Sequence, residues 1–175
     1  MRLFIAINFN EATRARLISL RDELRRKAAN GRFSAPENLH LTIVFLGECD
    51  AKQATGAMAA MDTVDLEPLV VTIDRVGRFR RDGGDVWWAG VRNDEPLLNL
   101  YRDLTDKLTS VGFDLEKRKY SPHITLGREV VTKDPPGEIV PFSETVSVIE
   151  LMKSEHIRGK LTYTVIHEKV CDMCK

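Results

Sequence analysis

Apolar residues along the 175-residue chain alternate between two spacings, and each change of spacing marks a new element. Arg2 to Phe9 is β-branched and aromatic, which predicts a strand. Asn10 is a helix cap with Glu11 in the favourable first turn. Leu17, Leu20 and Leu24 then form an inward stripe over a helix running to about Asn30, where Asn30-Gly31 stops it. A loop to Glu37 leads into a strand through His40, which Gly47 ends, and a second helix is expected over Ala51 to Met61. Leu69 to Val76 reads as a strand, Arg81-Asp82-Gly83-Gly84-Asp85 as a turn, and Val86 to Val91 as the returning strand of a hairpin. Asn93 is the expected cap of a third helix through Leu97, Leu98, Tyr101, Leu104 and Leu108, which Gly112 stops. A loop precedes Pro122 and the strand of His123, and Pro135-Pro136-Gly137 breaks the chain. Val146 to Lys153 and Leu161 to Lys169 form a last hairpin around Gly159.

Two of these strands carry the same unusual pair. His40 and Thr42 stand two residues apart, as do His123 and Thr125. Strand side chains alternate faces, so each histidine shares a face with its threonine, ~7 Å away along the strand. Core strands seldom carry a histidine without a reason. The histidines are 83 positions apart, and so are Asn10 and Asn93. Each half therefore reads strand, capped helix, loop, His-x-Thr strand. That repeat suggests an α+β fold of two similar lobes, interleaved in a single domain over 1–175, with the two motifs facing across a cleft.

Composition narrows the function. Hydrophobic residues make up 43% and charged residues 30%, as in a folded globular protein. Lys+Arg 26 balances Asp+Glu 26, which argues against general nucleic-acid binding and leaves room only for a local basic patch. Arg75, Arg78, Arg80 and Arg81 form such a run, as an RNA grip or as a solvated loop. No apolar run approaches the ~20 residues of a membrane span, and the apolar start is too short for a signal peptide, so a cytoplasmic location is expected. The cysteines are Cys49, Cys171 and Cys174, an odd count that argues against a disulfide framework. Cys171-x-x-Cys174 has no second pair in the chain to complete a zinc site and reads as two free thiols on a frayed tail.

Two histidines and two hydroxyls suit acid–base work on a phosphodiester. Histidine titrates near neutrality, so one ring is able to act as base and the other as acid on opposite sides of one centre. Threonine hydroxyls suit non-bridging phosphate oxygens. Neither motif carries a third metal ligand, and neither a Gly-x-Ser-x-Gly elbow nor a Walker-type loop is present, so no metal and no cofactor are expected. His156 and His167 have no threonine two residues on and read as structural or surface groups. One of Trp87 and Trp88 must be core, and the other is free to stack on a base or to cover a helix.

His40-Leu41-Thr42-Ile43 and His123-Ile124-Thr125-Leu126 resemble the paired His-x-Thr-x motifs of the 2H phosphoesterase superfamily. Within it the chain most resembles the RNA 2′,3′-cyclic phosphodiesterases, also called 2′-5′ RNA ligases. The start Arg2-Leu3-Phe4-Ile5-Ala6-Ile7, the hairpin Gly77-Arg78-Phe79 with Val86 to Val91, and the stretch Ser121 to Arg128 carry the likeness over nearly the whole length. The resemblance implies a bilobal pseudo-twofold fold, two mainly antiparallel sheets lining a central cleft with helices outside. It implies opening of an RNA 2′,3′-cyclic phosphate to a 2′-phosphate, with His40 as proton donor, His123 as proton acceptor, and Thr42 and Thr125 on the phosphate oxygens. It further implies reverse, ATP-independent 2′-5′ ligation. Arg128 is implied as a phosphate contact, and Tyr120 is a candidate base-stacking residue. The expected partner is an RNA with a cyclic phosphate end, such as a tRNA half, acted on by a monomer. A phosphodiesterase of small cyclic nucleotides and a non-catalytic RNA-binding module stay open as alternatives.

Overall fold

The computed structural model describes residues 1–174, with side chains as far as Met173. Strand β1 (Arg2–Ile7) leads to helix α1 (Glu11–Lys27), β2 (Asn30–Phe33), a short 3-10 turn (Pro36–Asn38) and β3 (Leu41–Glu48). Helix α2 (Ala51–Asp62), the hairpin β4 (Leu69–Phe79) and β5 (Asp85–Val91), and helix α3 (Glu95–Ser110) follow. Then come β6 (His123–Val131), β7 (Phe142–Val146) and the hairpin β8 (Val148–Ile157) and β9 (Lys160–Val170). The strands form two antiparallel sheets, ordered β3-β1-β8-β9 and β2-β6-β5-β4-β7. This is the expected α+β class, with β3 and β6, the two His-x-Thr strands, one in each sheet and in contact across the interior.

β1 shows why the sheets bury both faces. Leu3, Ile5 and Ile7 are fully buried in the main core under the helices. Phe4 and Ala6, on the other face, pack with Met152 and Tyr163 in a small separate cluster. That second cluster lies against His40 through the rings of Phe4 and Tyr163. Outside the sheets, α1 packs on β2, β6 and β7, α2 on β9 and α3, and α3 on β3 and β4. Leu97, Leu100, Leu104 and Leu108 supply the buried face of α3.

Several expectations are corrected. The cap of α3 is Asp94, whose carboxylate accepts from the Leu97 N–H, rather than Asn93. With Asn93 as cap, Pro96 would fall at the third helical position, where its missing N–H leaves nothing to donate to the cap. Asn93 instead donates from Nδ2 to the Tyr120 carbonyl at 3.4 Å. The segment after α1, read as loop, is strand β2, paired with β6. β7 pairs with β4 along Leu69 to Ile73 and has too few apolar residues to signal itself. His156 sits in β8 opposite Leu161 rather than in the hairpin loop. The tail is not frayed at Cys171: the residue is fully buried and its N–H donates to the Ser147 carbonyl at 2.8 Å. The side chain of Cys174 lies outside the described residues.

The cap assignment predicts that Asp94→Ala lowers stability by about 0.5–2 kcal/mol in urea unfolding, and Asn93→Ala by less than about 0.5 kcal/mol.

Candidate active site

Both histidines are fixed by the same local bond. His40 sits between the 3-10 turn and β3, and its Nδ1–H donates to the Asn38 carbonyl at 2.7 Å. His123 opens β6 after Pro122, and its Nδ1–H donates to the Ser121 carbonyl, also at 2.7 Å. A carbonyl only accepts, so each bond places the proton of the neutral ring on Nδ1. Nε2 of each ring is then left to take or give a proton. In the neutral form of His40 that atom accepts from the Thr42 hydroxyl at 2.9 Å.

Each imidazole is also wedged between two aromatic rings. His40 lies 4.9 Å from the Phe4 ring and 5.1 Å, edge-on, from that of Tyr163. His123 lies 5.2 Å, edge-on, from Phe79 and 6.2 Å from Trp88. Trp88 stands opposite Thr125 and lies across Gly77, where a Cβ would collide with its ring. Arg75 crosses Gly90, the partner of His123 in the ladder, and sits 5.7 Å over Trp88. Trp87 is the core member of the tryptophan pair. Arg75 and Arg78 of the basic run are paired with Asp74 and Asp85.

This packing sets the charge of the rings. Burial is the largest cause pushing His40 down to about 4, against the bond to Asn38, and the positive charges of His123 and Arg128 add to it. His40 keeps some accessible surface. His123 is lowered too, by burial first, with Arg128 and Arg118 adding and the Ser121 bond opposing. His123 and Arg128 both act on the charge of His40, so the two motifs lie within electrostatic reach of one another.

Arg128 is exposed and sits in irregular backbone. The β5–β6 register shifts between Asp85 and Trp87 and again between Trp87 and Trp88, and Glu129 takes a φ of 55°. The extra residues re-aim the strand, so simple alternation from His123 does not apply at Arg128. Tyr120 has a different place from the one expected of a base-stacking group. Its ring stacks on Tyr101 at 4.3 Å and an interplanar angle of 5°, and its hydroxyl donates to the Thr42 carbonyl at 3.1 Å. It ties the segment before the second motif to β3, the strand of the first motif, and burial raises its hydroxyl pKa. Thr125 pairs with Trp88 in the β5–β6 ladder, and its carbonyl accepts from the Ser34 hydroxyl at 2.7 Å. His167 pairs with Asp62 at 2.8 Å, away from the two motifs.

The rings of Phe4, Phe79 and Tyr163 escaped the motif reading. For Tyr163 the signal was present: Leu161, Tyr163 and Val165 are apolar at alternate positions between Lys160, Thr162 and Thr164. Among the described residues, no three His, Cys, Asp or Glu side chains group as a metal site. Nor, among them, is any helix long and apolar enough to cross a membrane.

Comparison with known proteins identifies the family. Residues 7–88, which include the first motif, match the family model described as LigT like phosphoesterase. An RNA 2′,3′-cyclic phosphodiesterase of Thermotoga maritima is 33% identical over 131 residues, covering 73% of this chain and 70% of that protein. Its counterpart in Escherichia coli K12 is 33% identical over 167 residues, 93% of this chain and 92% of that protein. The crystal structure of E. coli LigT complexed with 3′-AMP superposes with a TM-score of 0.82 at 29% identity and covers 98% of both chains. With the fold and the length of these alignments in agreement, the chain belongs to the LigT-like phosphoesterases of the 2H superfamily.

Proposed function

We propose that this phosphoesterase hydrolyses the 2′,3′-cyclic phosphate end of RNA to a 2′-phosphate, with His40 and His123 as acid and base and without a metal ion. The observation that carries the reading is the matched pair of imidazoles, each with Nδ1 bound to a carbonyl two residues before it and Nε2 left for proton transfer. The names of the relatives support the substrate. His123 Nε2 takes a proton from water as its oxygen attacks phosphorus, and protonated His40 gives its Nε2 proton to the departing 3′ oxygen as the P–O3′ bond breaks. The product is a 2′-phosphomonoester beside a free 3′-hydroxyl, and solvent exchange restores the two rings. Thr42 and Thr125 donate to the non-bridging oxygens, and Arg128 balances their charge. Run in reverse, with an RNA 5′-hydroxyl in place of water, the same groups exchange roles and join a 2′-5′ bond. A mononucleotide substrate is a second reading, favoured by the 3′-AMP held by the similar E. coli LigT. Turnover of RNA oligomers against mononucleoside cyclic phosphates separates the two.

Hydrolysis of a cyclic-phosphate-ended RNA in excess EDTA, without ATP, should proceed at the full rate, and dependence on an added divalent ion would refute the two-histidine mechanism. His40→Ala and His123→Ala should each lower kcat by at least ~10²-fold, the usual share of one general acid or base. Because both rings titrate below their ordinary 6.5 in the free protein, both limbs of the kcat/KM profile should fall on the acid side of neutrality. Arg128→Gln removes a positive charge that depresses both rings, so it should move the whole bell to higher pH, and a profile that stays put would show that Arg128 does not act on them.

A further inference from the structure

An open groove of about 600 Å3 adjoins the first histidine, lined by Asn8, Arg14, Glu37, Glu150, Met152 and Tyr163 among others. That volume lies in the range of small-ligand sites. No residue of β4, β5 or β6, the strands around His123, contributes to it. Tyr163 is its boundary with the catalytic cleft, since the same ring lies edge-on to His40.

The groups around the groove divide sharply. Those at the rim already have partners: Arg14 donates to the carbonyls of Pro36 and Phe9, and Glu37 is paired with Lys160. On the floor, Asn8 Nδ2 donates to the Glu150 carboxylate and lies 3.6 Å from the Met152 sulfur. The floor therefore presents a carboxylate edge, oriented by an amide, next to a thioether and the exposed Val165. A flat ring with a hydrogen-bond-donating edge fits such a surface.

The chemistry of the reaction says which ring comes here. In an in-line displacement the attacking water and the leaving oxygen stand on opposite sides of phosphorus. The acid stands beside the leaving oxygen, because proton transfer needs hydrogen-bond distance. In a cyclic phosphate that oxygen is still attached to the ribose of the terminal nucleoside. The nucleoside therefore extends to the side of the acid, His40, while the base, His123, faces the attacking group.

We propose that the groove beside His40 seats the nucleoside that carries the cyclic phosphate, and that the Glu150 carboxylate, held by Asn8, accepts from the amino group of its base. The inference rests on the phosphodiesterase reading above and adds a base preference to it. A carboxylate accepts from the cytosine N4 amino group, whereas uracil offers a carbonyl at the same position and is repelled. Cytidine and uridine 2′,3′-cyclic phosphates are otherwise of the same size and charge, so they isolate this contact.

The test is kcat/KM for these two compounds with the wild-type protein and with Glu150→Gln. The wild-type protein should favour cytidine on the order of tenfold. Glu150→Gln, which offers both an acceptor and a donor, should bring the ratio to within about twofold through KM, leaving the pH profile in place. Equal wild-type rates for the two would overturn the proposal. So would a cytidine preference that survives Glu150→Gln but is lost in Trp88→Ala, because that would put the base on the His123 wall. Should neither compound be turned over, the phosphodiesterase reading fails first, and the groove is then read by calorimetry with cytidine and uridine 2′-monophosphates. Tighter binding of the cytidine compound, lost in Glu150→Gln, supports the groove, and equal binding overturns it.

Discussion

The site depends on a short hydrogen bond made twice, from an imidazole Nδ1–H to the carbonyl two residues earlier. It fixes the tautomer, turns each ring about its Cβ, and leaves only Nε2 for chemistry. Each bond forms where the chain bends just before a strand. Asn38 ends the 3-10 turn that begins at Pro36, and Ser121 precedes Pro122, which restricts the residue before it to extended backbone. The two prolines thus precede the two motifs for a local reason: each helps present a carbonyl to the following histidine. Further ties hold the first bend in place, since the Asn38 side chain donates to the Leu161 carbonyl at the end of the β8–β9 hairpin.

The two halves repeat this geometry in unequal surroundings. His40 stands among Phe4 and Tyr163 over the small apolar cluster of the four-stranded sheet. His123 stands among Phe79 and Trp88 with Arg75 close by. Burial favours the neutral form of both rings, and the guanidinium of Arg128 pushes the same way. An anionic phosphate between them reverses that balance, because it offsets the arginine and favours one charged ring. In the mechanism proposed above, the two imidazoles start out neutral, and the anionic substrate favours the protonated form that the acid needs. Tyr120 holds the arrangement together, stacked on α3 and bonded to the carbonyl of Thr42.

Most of the strands, the three helices and the His-x-Thr pair were legible in the sequence, because each is written in local periodicity or in a short motif. What escaped has nonlocal causes. β2 and β7 are edge strands whose pairing partners, β6 and β4, supply the ladder that their own residues do not announce. Cys171 is buried because the end of β9 packs beside Ser147, which no property of the terminal segment foretells. Tyr120 was legible as a residue beside the motif, but its stacking on Tyr101 is set by where α3 docks. Asp94 was within reach of local reasoning: Pro96 has no N–H to give a cap at Asn93, and this shifts the helix start by one residue.

The most direct test is a pH titration of the His40 and His123 ring nitrogens by nitrogen-15 NMR in the free protein. At pH 7 both rings should be neutral with the proton on Nδ1, and saturating inorganic phosphate should raise the pKa of at least one of them. A neutral ring protonated on Nε2 at either position, or a ring already charged at pH 7, would contradict the account.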